Sequence, residues 1–188
     1  MDTRRMIRVI GISFVGFLTL LCAHAVLLLA LAASFDIFGS RISPLSWFLF
    51  IVVIPPLATV AGALPAIALG EGKIRSLVVG FIASIGATII FNLPLQEARG
   101  FFDASDALAS IFIVGATVLA VSFRPSDRRK VRIAAVLVAW AIFSVLGVMA
   151  AGLSQIAAFI VILLAWVVLP GVAALFQSRL SSYQSRAQ

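Results

Sequence analysis

His24 is the only histidine in the chain. It lies inside a long apolar stretch, where an ionisable side chain is by default a candidate functional residue. An imidazole in such a place can relay a proton, ligate a haem iron, or hydrogen-bond a neighbouring helix. Haem ligation by two histidines would need a second chain. No carboxylate is placed by the sequence at the same depth to exchange a proton. A neutral, hydrogen-bonded imidazole is therefore the favoured reading. One His and one Cys, Cys22, also exclude an ordinary His/Cys metal site within a single chain, and no cofactor is expected.

Four further groups of residues have types that could do chemistry. Pro55 and Pro56 remove two backbone donors in the middle of an apolar stretch, with Thr59 one turn on. A broken helix with a free hydroxyl is how many transporters build a solute site, although prolines also kink helices without function. Thr88 and Asn92 supply polar atoms towards the end of the next stretch. Glu97, Asp103 and Asp106 could attract a hard cation through oxygen ligands. Their spacing matches no calcium loop, and Asp106 or Ser105 reads more simply as the N-cap of the following helix. Arg124, Arg128, Arg129, Lys130 and Arg132 form the densest charge run and could hold anionic lipid.

The elements that must position these residues follow from composition. Hydrophobic residues make up 63% of the 188 and charged residues 11%, with a mean hydropathy of +1.20. That leaves too few polar residues to coat a water-soluble surface. The apolar runs are continuous rather than alternating, which excludes a barrel. A bilayer core takes roughly 20 helical residues to cross. The expected architecture is all-α: a polytopic transmembrane bundle in one integral membrane domain, 1–188. Its six spans lie near residues 7–35, 46–69, 74–93, 107–123, 131–151 and 155–176.

The net charge of +7 could signal nucleic acid, but its distribution argues otherwise. With six crossings, twelve of the fourteen Lys and Arg residues fall on one side, and only Arg41 and Arg99 on the other. Cytoplasmic loops carry such an excess, so both termini are expected in the cytoplasm of a bacterial inner membrane, with no nucleic-acid partner. Ala23-His24-Ala25 fits a signal-peptide cleavage pattern, yet the apolar run continues through Val26–Ala33, so an uncleaved anchor is expected. Gly70–Ser76 is a tight turn and not a phosphate loop, because its glycine spacing is wrong. Leu95, Ala98 and Phe102 suit a short helix lying on the membrane surface.

The small-residue stripe Gly80, Ala83 and Ala87, and the pair Gly147 and Ala151, mark close helix contacts, internal or between copies. Three functions fit. The leading one is a non-catalytic interaction, assembly or accessory subunit with a membrane-complex or homo-oligomeric partner, because the interior lacks charge. The second is a small transporter or channel for a neutral solute, built on the kinked second span. The third is a membrane enzyme using His24.

Overall fold

The computed structural model describes residues 3–38, 48–92, 104–125 and 129–178. Among these there is no strand. Six α-helices follow one another: α1 Thr3–Phe38, α2 Ile54–Ala68, α3 Lys73–Ala87, α4 Ala104–Ser122, α5 Arg129–Leu153 and α6 Gln155–Ser178. Five are long and apolar enough to cross a membrane, and the shorter α2 is also apolar. The chain is thus a multi-pass helical membrane bundle. Helices satisfy every backbone donor and acceptor internally, which hydrocarbon demands.

Two five-residue π-turns extend the helices. Leu49–Val53 leads into α2, and Thr88–Asn92 continues α3. The first has a direct cause. Pro55 and Pro56 have no N–H to offer the carbonyls four residues earlier, and the last amide before them, that of Ile54, reaches back to Leu49. The kink expected at this pair is therefore a wide turn ahead of it, with the prolines in the first turn of α2, where they are tolerated. At the second turn, the hydroxyls of Ser84 and Thr88 donate to the carbonyls of Gly80 and Ser84, at 2.8 and 2.9 Å. Such back-bonding competes with the amide ladder and bends helices.

Connections are short. After α2, the Gly70 amide donates to Ile67 and the Glu71 amide to Ala66, closing the helix with Gly70 at φ +91°. Gly72 is extended and opens α3, so only the first glycine of this turn uses its freedom. Ser154 alone separates α5 from α6, and its Oγ accepts the Ala157 amide.

The ends of the helices sort as antiparallel neighbours should. Arg4, Arg5 and Arg8 border one cavity with Ile67, Ala68 and Gly70, and Gly171 faces the Met6 methyl. The α1 start, the α2–α3 turn and the later part of α6 therefore share one end. The core runs through the middle of α1, α4 and α6, around Phe17, Ile111, Val114, Val118, Ile162 and Trp166. Trp166 is fully buried and donates its indole N–H to Ser110 Oγ at 3.2 Å. Phe17 meets Phe159 and Trp166 in tilted ring contacts, with centroids 5.5 and 6.3 Å apart. By contrast α5 presents Val131, Val138, Ile142, Val145 and Met149 outward, as a lipid-facing helix does.

Arg132 departs from the sequence expectation. It is 2% exposed, so it is not free to meet a lipid headgroup. Its guanidinium donates to the carbonyls of Ser122, at 2.7 and 3.3 Å, and Arg124, at 2.8 Å. These carbonyls close α4, and a cation is favoured at the end of a helix. Arg124, Arg129 and Lys130 remain exposed, with Arg129 over the Phe123 ring. Arg128, the surface helix expected around Leu95–Phe102, and the residues Glu97 and Asp103 lie outside the described residues.

Candidate functional site

The site begins where α2 and α3 touch. Gly62 and Gly80 face each other so closely that a Cβ on Gly80 would lie 2.5 Å from the Thr59 carbonyl oxygen and 2.6 Å from the Ala63 nitrogen. Only glycine allows this approach. The stripe of small residues beginning at Gly80 is thus spent on internal packing: Gly80, Ala83 and Ala87 are all buried. Gly147 is likewise occupied, since a Cβ there would meet Ile111 at 2.7 Å.

Beyond the Gly62–Gly80 contact, towards the two π-turns, lies a cavity. Its volume is about 410 Å³, and its walls include Pro55 and Thr59 of α2, Phe81 and Ser84 of α3, Thr88 of the second π-turn, and Asp106 of α4. A second, narrower cavity of about 110 Å³ shares Ile54, Ala58, Ser84, Thr88 and Asp106 with it and reaches His24 of α1. The second π-turn adjoins this space through Thr88 and Ile89, and Ile54, the residue after the first, lines both cavities; wide turns of this kind recur at functional sites. Phe81, Ile85 and Ile89 line the larger cavity yet are exposed. Among the described residues it therefore opens sideways, at the bundle perimeter.

The polar end is a pair. His24 Nε2 stands 3.6 Å from Asp106 Oδ2, with side chains 17% and 23% exposed. The sequence expectation was that no carboxylate would reach His24. It fails because α4 starts at Ala104, so Ser105 and Asp106 lie inside its first turn rather than capping it. A carboxylate is favoured there by the helix dipole. The pair sits at the end of the bundle where α4 begins, opposite the end that gathers Arg4, Arg5 and Arg8. At 3.6 Å the contact is longer than the roughly 2.7–2.9 Å of a close charge-assisted hydrogen bond.

Of the residues singled out from the sequence, Pro55, Thr59, Thr88 and Asp106 border the larger cavity and His24 the smaller. Pro56 borders neither and is exposed. Asn92 ends the second π-turn. Ser84, Phe81 and Ser110 were not singled out. The hydroxyl of Ser84 was visible as one of several within the spans, but its place on the cavity wall depends on the α2–α3 crossing. Ser110 is paired with a residue 56 positions away, which no local pattern encodes. Among the described residues no group of three or more His, Cys, Asp or Glu could hold a metal ion.

No protein-family model matches this chain, and neither a curated protein nor a solved structure matches it.

Proposed function

We propose that this protein is a small transporter of the bacterial cytoplasmic membrane, forming one integral membrane domain with both termini in the cytoplasm. It binds a solute with an apolar body and one polar group in the cavity among α1, α2, α3 and α4. The observation that carries this reading is the convergence on one space of apolar walls, the second π-turn and the His24–Asp106 pair. Binding sites are mostly apolar, with a few placed polar groups that fix orientation. The lateral opening suits a solute that first partitions into lipid. The Gly62–Gly80 crossing packs α2 against α3 beside the cavity, which leaves the opening at the perimeter as the route that supports this reading.

The leading expectation from sequence, an accessory subunit, rested on an interior without charge; the His24–Asp106 pair at the end of the bundle, beside a cavity, favours a solute site instead. An enzyme is less well supported. The hydroxyls of Ser84 and Thr88 donate to carbonyls of their own helix, and a nucleophile must be free to give its proton to a base.

Single cysteines at Thr59 and Thr88, in a Cys22→Ser background, test the cavity. Both should react with a small impermeant thiol reagent added from the non-cytoplasmic side, and neither from the cytoplasmic side. Inertness of both positions from both sides would mean a dry interior and return the accessory reading to first place.

A further inference from the structure

We propose that the basic end of the bundle holds a phosphate-bearing anion, the headgroup of an anionic phospholipid, in the cavity between the start of α1 and the end of α2. This site is separate from the solute cavity and does not depend on it. Arg4, Arg5 and Arg8 border a space of about 430 Å³ whose other walls include Ile67, Ala68 and Gly70. Arg4 and Arg8 are one helical turn apart, and Arg5 is the next residue round α1, so three guanidiniums reach one space. All three are exposed, and a guanidinium is charged at every accessible pH. Arg4 and Arg5 also make further contacts in the fold. With five N–H donors, a guanidinium can keep one contact and still fork onto a phosphate. The whole chain has fourteen basic residues against seven acidic ones, so its own carboxylates cannot neutralise its cations.

The cavity offers both chemistries of a phospholipid at the membrane boundary. The arginines suit the phosphate, while Ile67 and Ala68 beside them suit the glycerol and the upper acyl chains. Ile7, next to Arg8, is 64% exposed and extends this apolar surface along α1. Nothing lies within 4 Å of a Cβ at Gly70, so the α2–α3 turn leaves the space open. A free ion would use only the guanidiniums, whereas a phospholipid uses the apolar wall as well. The run from Arg124 to Arg132, which the sequence favours for anionic lipid, is placed differently. Arg132 donates to the carbonyls of Ser122 and Arg124, and Arg129 lies over the Phe123 ring. Two of its cations are thus engaged by the fold, whereas the α1 cluster borders open space.

Native mass spectrometry of the full chain, released from mild detergent with dioleoylphosphatidylglycerol and dioleoylphosphatidylcholine in equal amounts, reads this out. The unaltered chain should retain the anionic lipid about tenfold more than the zwitterionic one. Arg4→Gln with Arg8→Gln should remove about tenfold of that retention, while Arg129→Gln with Lys130→Gln should leave it in place. Arg4→Lys, Arg5→Lys and Arg8→Lys together keep the charge but lose the planar forks, so retention should fall severalfold. Equal retention of the two lipids by the unaltered chain would overturn the proposal. Full retention by the lysine variant would mean diffuse attraction and overturn the forked phosphate site. Loss caused by the α5 pair alone would move the lipid to the α4–α5 turn and overturn the assignment to α1. Displacement of the lipid by millimolar inorganic phosphate would make free phosphate the ligand and overturn the lipid. Because the lysine variant preserves charge, it decides the matter even if the glutamine variant does not fold.

Discussion

Replacing Gly80 by alanine tests the packing on which the cavity depends. The new Cβ would stand 2.5 Å from the Thr59 oxygen and 2.6 Å from the Ala63 nitrogen. A relaxed C···O approach is about 3.3–3.6 Å, so α3 must retreat from α2 by roughly 0.8 Å or more. Both obstructing atoms are backbone, and no rotamer change can relieve them. Overpacking of this kind costs about 1–3 kcal/mol, and rigid neighbours place it near the top of that range. Alanine recovers at most about 1 kcal/mol of helix propensity. The net loss should be about 2 kcal/mol.

Gly11→Ala is the matched control. Nothing lies within 4 Å of a Cβ at Gly11, so only the propensity gain remains and that variant should be neutral or slightly more stable. Unfolding by titration with sodium dodecyl sulfate would measure both. Equal stabilities for the two variants would refute the close crossing of α2 and α3.

Other expectations follow from individual contacts. Arg132→Ala should destabilise the bundle by about 2–4 kcal/mol because two carbonyls closing α4 lose a buried charged donor, whereas exposed Lys130→Ala should stay within about 0.5 kcal/mol; the same detergent titration checks both. Arg132→Lys should recover only part of the loss, since an ammonium lacks the fork that serves Ser122 and Arg124 together. Thr117 is wholly buried and its hydroxyl has no hydrogen-bond partner, so Thr117→Val should raise stability by about 0.5–1 kcal/mol through removal of an unsatisfied polar atom. Cysteines placed at Ser154 and at Gly72, again without Cys22, should be labelled by an impermeant reagent from opposite sides of the membrane; labelling from the same side would dismantle the topology.

Much of the bundle is legible because bilayer thickness imposes a length on every crossing. The order of the apolar helices among the described residues and the turns at Gly70 and Ser154 follow from that constraint and from turn chemistry, whereas the 15-residue length of the second helix does not. The wide turn ahead of α2 is legible in kind, since two successive prolines must free carbonyls somewhere, but its exact site is not. Arg132 shows a different limit. Within a run of five basic residues, nothing local separates the one that turns inward to cap α4 from those that face outward. The difference arises from the tertiary placement of Arg132 against the carbonyls of Ser122 and Arg124, ten and eight positions earlier. His24 and Asp106 lie 82 positions apart in numbering, and their meeting depends on the relative heights of α1 and α4. α1 runs for 36 residues, longer than a crossing needs, so its length alone does not set the level of His24.

That level also explains why a carboxylate beside an imidazole can persist in so apolar a chain. A carboxylate at the centre of a bilayer would have to overcome a penalty of several kcal/mol. Asp106 avoids most of it by occupying the first turn of α4, where exposed amides and the helix dipole favour negative charge, and by keeping partial exposure. Its stabilisation is local and does not depend on His24 alone. The first turn of α4 is therefore the placement that makes Asp106 tolerable in the membrane.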